Sequence, residues 1–480
     1  MMSISLALPV VVLVVLAVFV LVMPASWAIW LERTAIGVLV VSLALLAGDQ
    51  WHLPDALATW FYLVVAVISV IALWFSEPYV RAEAKHLHWN DAQIKQYGSL
   101  LLIFIASLVA VAIWTNFLWL WLGIEAATLS SVFLVGTPRD RGAIEAAWKY
   151  LLVTEAGGLA ALVGTAVALA ATGHPISQWD YATWTAIGHH MEKARWILIG
   201  AYMAMIGYAT KAGLAPFHTW LPDAHSQAPA PVSALLSGLK LAGAVVIVYH
   251  LFGVLTPTVP AQDLKDGLII LGLLSLLVAA AFVAFQTDLK RLWAYSSIEH
   301  IGLISLGIGF GGIALVGAVF HIWTHASSKT LLFQNAGTVR LLYHTSESTQ
   351  GAKALLARTP WTGGMLALGS AAIVGLPPFA PFWSEWLILV GGFQSASNRI
   401  PDIIAVGLLI VIFSGIALRI PNWLWVPGTQ DRLAKIREPW ALVAPNLVLA
   451  LLVLVGGVGM PLVVHPLWHH LAHELLKSPI

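Results

Sequence analysis

Cysteine is absent from all 480 residues of this chain. Disulfides, thiolate nucleophiles and cysteine-held iron–sulfur clusters are thereby excluded. Any electron transfer linked to the protein must run elsewhere, or through a cofactor the sequence does not advertise. Charge is also scarce, at 10% of residues where a soluble globular protein carries about 25%. Lysine and arginine number 24 against 23 acids, so no basic excess points to nucleic acid. What is present is apolar: 59% hydrophobic residues and a mean hydropathy of +0.86. That composition predicts an all-α polytopic membrane protein with the lipid bilayer as its solvent.

Apolar runs of roughly 17–25 residues place about 14 transmembrane helices, the first near 3–23 and the last near 439–460. The N-terminal run has no basic residue before it and suits a first span better than a cleaved signal peptide. Fifteen basic residues fall in loops on the side opposite the N-terminus, and five on the N-terminal side. This asymmetry predicts a cytoplasmic (inner) membrane protein with both termini outside the cytoplasm. The 23 tryptophans read mostly as interface belt and packing.

Against this background, ionisable residues inside the spans stand out. They are Lys149, Lys211, Lys240 and Lys329, with Glu125, Glu155, Glu299, Glu385, His321 and His325. A charge at bilayer depth costs between ~3 and more than ~10 kcal/mol, so it faces a partner or a watery cavity and marks an ion or proton path. His321, His325 and Lys329 lie four apart and form one helical stripe. Histidine titrates near neutral pH and relays protons. Two histidines at this spacing also suit a metal, but no third histidine or carboxylate stands nearby in the sequence, so no metal is expected. Glu299 and His300 are expected just inside span ten at its cytoplasmic edge, suiting either proton uptake or a wetted helix end. Lys149 and Glu155 are six residues apart, a poor spacing for pairing. His465, His469, His470 and His473 read as an amphipathic tail segment at the outer interface.

The pattern Gly-Leu-x-Pro-Phe occurs twice, at Gly213–Phe217 and Gly375–Phe379. Proline inside a helix removes a hydrogen bond and clashes with the preceding turn. Gly213 with Pro216, and Gly375 with Pro377 and Pro378, therefore predict discontinuous helices in span 7 (195–221) and span 12 (361–394). Such breaks are tolerated at membrane depth only beside protein or a cavity, and a pair of them in corresponding halves points to an inverted-repeat transporter. The expected division is 1–97 for three peripheral spans, 98–255 and 256–420 for two inverted five-helix repeats, and 421–480 for the last span and a short tail.

Two stretches carry a family resemblance. Lys211-Ala-Gly-Leu-Ala-Pro-Phe-His-Thr-Trp-Leu-Pro-Asp-Ala-His-Ser-Gln-Ala-Pro-Ala-Pro-Val-Ser-Ala-Leu235 and Asp288-Leu-Lys-Arg-Leu-Trp-Ala-Tyr-Ser-Ser297 resemble the antiporter-like proton-channel subunits of complex I, membrane-bound hydrogenases and Mrp-type sodium/proton antiporters. The likeness covers roughly residues 98–420. Glu145-Ala-Ala-Trp-Lys-Tyr150 and Ser296-Ser-Ile-Glu-His300 are most similar to hydrogenase-4 component F. About 20 residues follow the expected last span, so the long lateral helix of the distal complex I subunit is not expected.

The resemblance implies that Glu125 pairs with Lys211, the proton-carrying lysine beside the first break. Lys240 corresponds to a lysine that many members place two positions later. Two residues turn a helix by roughly 200°, so either span eight is locally shifted or Lys240 serves from another face. The helix with His321, His325 and Lys329 would link two half-channels, and Glu385 would gate the exit. The implied partners are other membrane-arm subunits, including another antiporter-like subunit, and a peripheral hydrogenase or dehydrogenase arm holding the redox centres. The chain itself would be a non-catalytic proton-pumping subunit with no cofactor. An Mrp-type antiporter subunit, or the membrane subunit of an inorganic-carbon uptake system, would use much the same residues.

Overall fold

The computed structural model describes residues 4–47, 53–184, 194–425, 434–458, 472–473 and 475–476. The tail positions His465, His469 and His470 lie outside the described residues. Long helices dominate: α1 (Ile4–Val22), α2 (Ala25–Ala47), α3 (Ala56–His86), α4 (Asp91–Ile113), α5 (Phe117–Val135) and α6 (Arg141–Ala171). Next come α7 (Ala194–Ala212), the short α8 (Trp220–Gln227) and α9 (Ala230–Leu235), α10 (Leu241–Leu255), α11 (Ala261–Phe282), α12 (Leu289–Phe310) and α13 (Gly312–Tyr343). The chain continues through a single turn α14 (Leu355–Arg358), α15 (Pro360–Ile373), α16 (Ala380–Gln394), α17 (Arg399–Arg419), the turn α18 (Pro421–Leu424) and α19 (Trp440–Val458). Among the described residues, nine helices are long and apolar enough to cross a membrane.

Helix starts follow local chemistry. Asp55, Asp140 and Asp288 cap α3, α6 and α12 by accepting from backbone N–H groups of the first turn, and Asn90 with Gln93 forms a capping box on α4. α1 buries Leu13, Leu16, Ala17 and Val20. Tight packing comes from small residues, which let backbones approach where lipid offers no hydrophobic drive. A Cβ on Gly164 of α6 would strike the Ala204 backbone of α7, and one on Gly207 of α7 would strike Ala161 of α6. This contact fixes the height at which α6 and α7 present their polar side chains to each other.

Both expected breaks are present. α7 ends at Ala212 and α8 starts at Trp220; α15 ends at Ile373 and α16 starts at Ala380. Gly213 (φ +72°) and Gly375 (φ +73°) turn the chain through the left-handed region, where glycine has no Cβ to clash. The peptide bonds Ala215–Pro216 and Pro377–Pro378 are cis. The freed backbone groups at the first break find partners. Trp220 Nε1 donates to the Thr210 carbonyl (3.0 Å), and the Ala215 N–H donates to Ser275 Oγ (2.9 Å).

Candidate functional site

At the first break, three helices bring three ionisable side chains together. The Lys211 ammonium, fully buried on α7, donates to Glu125 of α5, lies 3.3 Å from Thr128 Oγ1, and stands 3.8 Å from Glu155 Oε1 of α6. The expected Glu125–Lys211 pair is therefore formed. Glu155, which sequence spacing left without a partner, is the third member, because pairing here runs between helices. Gly158 makes room for the cluster: a Cβ there would collide with the Glu125 carboxylate and come 2.9 Å from Lys211 Nζ.

Residues 236–240 form a π-helical turn between α9 and α10, a local bulge that shifts register inside a helix by one residue, about 100°. Lys240, at the end of this turn, points at the broken end of α7. Its Nζ donates to the Lys211 carbonyl (3.1 Å) and lies 4.6 Å from the Trp220 ring centre and 5.0 Å from that of Tyr150. The orphan carbonyls of a helix C-terminus and the aromatic faces offset part of the cost of burying a cation there. The same turn carries Ser237, whose carbonyl accepts from His325 Nε2 (3.1 Å) and whose hydroxyl meets Ser297 Oγ (2.7 Å).

His321, His325 and Lys329 are fully buried along α13. Ring centres of His321 and His325 are 6.3 Å apart, as the four-residue stripe requires. Lys329 donates to the Trp293 carbonyl of α12 (3.1 Å). His321 Nε2 meets His300 Nδ1 at 2.9 Å, and His321 Nδ1 meets Ser384 Oγ at 2.8 Å. Glu385, on the first turns of α16 just after the second break, places Oε1 4.0 Å from His300 Nδ1. Glu299 Oε2 lies 3.8 Å from His300 Nε2 and accepts from Ser296 Oγ (3.2 Å).

Three expectations change. Glu299 and His300 are not at a cytoplasmic edge. α12 starts at Leu289, so they stand about 15 Å along it, in the buried centre beside His321 and Glu385. Lys149 is not an isolated intramembrane charge. It is half exposed and bonded to Glu145 (2.7 Å) and Asp223 (3.2 Å), and Asp223 also holds Arg291 (2.9 Å). The cause is length: 31 residues of α6 span about 46 Å, well beyond the ~30 Å hydrocarbon core, so its first turns project. Finally, a potential ligand set does exist, though it takes only His321 of the two α13 histidines. His300, His321 and Glu385 offer ligand atoms that all lie within 4.8 Å of one another, contributed by three helices.

Other buried polar groups carried no signal as path residues. His225 of α8 has neither ring nitrogen bonded and stacks on Phe333 at 4.8 Å; it stood inside the long motif without a role. On α13, Ser328 Oγ, Thr330 Oγ1 and both amide atoms of Gln334 are buried without a partner. Both carboxylate oxygens of fully buried Asp402, in the first turn of α17, are likewise unpartnered, and the side chain packs on Gly392 of α16. A lone aspartate at the start of an apolar run reads from sequence as a loop residue.

Residues 115–413 match the NADH:quinone oxidoreductase/Mrp antiporter transmembrane family. The hydrogenase-4 component F homolog of Methylacidiphilum infernorum is 33% identical over 367 residues, 76% of this chain and 77% of that protein. Hydrogenase-4 component B of Escherichia coli K12 is 30% identical over 354 residues, 69% of this chain but 49% of that longer protein. In fold, the chain superposes on a chain of the archaeal membrane-bound sulfane sulfur reductase with a TM-score of 0.86, at 23% identity, covering 99% of this chain and 98% of that one. The chain is a multi-pass membrane protein belonging to the NADH:quinone oxidoreductase/Mrp antiporter family.

Proposed function

We propose that this chain is a proton-translocating membrane subunit of a complex I-like, hydrogenase-4-type redox complex. The observation that carries the reading is the continuity of the titratable row, buried except at the half-exposed Glu155 and the partly exposed Glu385. It runs from Glu125, Glu155 and Lys211 through Lys240, Ser237 and His325 to His321, His300 and Glu385. Each member contacts the next directly or through one hydroxyl, backbone group or short stretch of the same helix.

Such a row moves charge by displacement. A buried carboxylate and a buried ammonium offset each other's desolvation when close, so separating Glu125 from Lys211 changes whether the lysine holds its proton. Lys240 sits one carbonyl away, so a proton lost from Lys211 lowers the repulsion against charging Lys240. The histidines then relay it, with either ring nitrogen donating or accepting. Glu385 is the exit group. The buried, unpartnered polar atoms at Ser328, Thr330, Gln334 and His225 on one flank, and Asp402 on the other, are groups that recruit water; they are assigned as the uptake and release flanks.

In this reading the chain makes 14 crossings of a bacterial or archaeal cytoplasmic membrane, with both termini outside. Residues 98–255 and 256–420 are the inverted repeats, each with one broken helix. Partners are neighbouring membrane-arm subunits and a peripheral hydrogenase or dehydrogenase arm that does the redox chemistry. The similarity to hydrogenase-4 components supports the hydrogenase-type assignment. The test is proton uptake by inverted membrane vesicles carrying the complex. Lys211→Ala and Glu125→Ala should each abolish pumping while the protein inserts in normal amount. Normal pumping in both variants would remove the pair from the mechanism.

A further inference from the structure

We propose that His300, His321 and Glu385 form a zinc-binding site. Two imidazoles and one carboxylate, with a fourth position open, are a ligand set that zinc takes in open tetrahedral sites. The three groups come from α12, α13 and α16 and converge with ligand atoms within 4.8 Å of one another. Convergence alone is common, but here the far nitrogens are also arranged as a metal site needs them. Metal-bound histidine holds its other nitrogen toward an acceptor, which fixes its tautomer.

His321 does so already. Ser384 Oγ reaches the Pro381 carbonyl (2.9 Å) and Thr324 Oγ1 (3.0 Å); with its proton on the Pro381 carbonyl, its oxygen accepts from His321 Nδ1 at 2.8 Å. His321 Nε2 is then a free lone pair, and the 2.9 Å bond to His300 must be donated by His300 Nδ1. Binding zinc requires that His300 carry its proton on Nε2 instead. That nitrogen has no hydrogen-bond partner and faces Glu299 Oε2 at 3.8 Å.

The geometric adjustment is small. Two nitrogens on tetrahedral zinc at 2.0–2.1 Å stand about 3.3 Å apart, so the rings must part by roughly 0.4 Å. Glu385 Oε1, 4.0 Å from His300 Nδ1 and within 4.8 Å of the His321 ligand nitrogen, must close in by up to about 1.5 Å. Glu385 and Glu299 together balance the two positive charges. Of the three ligands only Glu385, beside the second break, is partly exposed, at 15% of its side chain. Zinc held there would occupy the exit end of the titratable row; that consequence, unlike the binding itself, rests on the function proposed above.

The test is zinc binding to the tag-free complex, measured by equilibrium dialysis and zinc X-ray absorption. The probe is Zn2+ alone, and the background is a chain with His465, His469, His470 and His473 replaced by alanine. We expect one zinc per chain with two imidazoles and at least one oxygen in its shell. Glu299→Gln and Ser384→Ala should each weaken it about 10–100-fold, and His300→Asn should remove it. Loss of zinc in the tail-substituted background, a shell with fewer than two imidazoles, or wild-type affinity in His300→Asn would overturn the site. Zinc that binds as expected yet leaves pumping intact would uphold the site and remove His321 from the proton path.

Discussion

Gly158→Ala adds one methyl group and removes no titratable residue, yet it should cripple the first half of the row. The added Cβ would overlap the Glu125 carboxylate and lie 2.9 Å from Lys211 Nζ. The atoms it meets are the far ends of two flexible side chains, whereas α6 is held against α7 backbone to backbone through Gly164 and Gly207, so the Glu125–Lys211 pair yields rather than the helices. Overpacking of this kind costs about 1–3 kcal/mol. If that cost falls on the paired geometry, its population relative to the separated one drops by a factor of about 5–150. Pumping by inverted vesicles, read with a pH-sensitive dye, should fall by a similar factor, while electron transfer by the redox arm is lost less or not at all. Gly407→Ala, where nothing lies within 4 Å, is the matched control and should pump normally. Wild-type pumping in Gly158→Ala would refute the claim that the closeness of Glu125 and Lys211 sets the protonation of the lysine.

Lys149→Ala should leave pumping unchanged, since its ion pairs with Glu145 and Asp223 are exposed and such pairs contribute only about 0–1 kcal/mol; a pumping defect would return this lysine to the path. Glu155→Gln should slow pumping without abolishing it, because Lys211 keeps Glu125; titrating the rate against pH in the variant checks this through a displaced profile. Asp402→Asn should reduce proton release. The cysteine-free chain allows a direct accessibility measurement: the single thiol of Asp402→Cys should react with a membrane-impermeant reagent from the outer side, and reaction from the cytoplasmic side alone would contradict its assignment to the exit.

The parts legible in the sequence were those written in local chemistry. The broken helices follow from Gly213–Pro216 and Gly375–Pro378, because a proline beside a positive-φ glycine interrupts a helix in any tertiary setting. The α13 stripe follows from four-residue spacing alone. Glu125 and Lys211, 86 residues apart, could be paired only through the family motif. What spacing could not reach was contact between helices: Glu155 meets Lys211 across the α6–α7 seam, and Glu385 meets His300 across α16 and α12. The depth of Glu299 and His300 was misjudged because the polar first turn of α12 resembles a loop. The face presented by Lys240 depended on a π turn, for which Leu-Ser-Gly-Leu-Lys240 has no propensity signature.

The most direct test of a single connected row lies on α13, where the first half of the row passes to the second. Protons translocated per two electrons should be counted in the intact complex bearing His321→Ala and His325→Ala together. The row predicts that this ratio falls while electron transfer continues. An unchanged ratio would mean that protons cross this protein by another route.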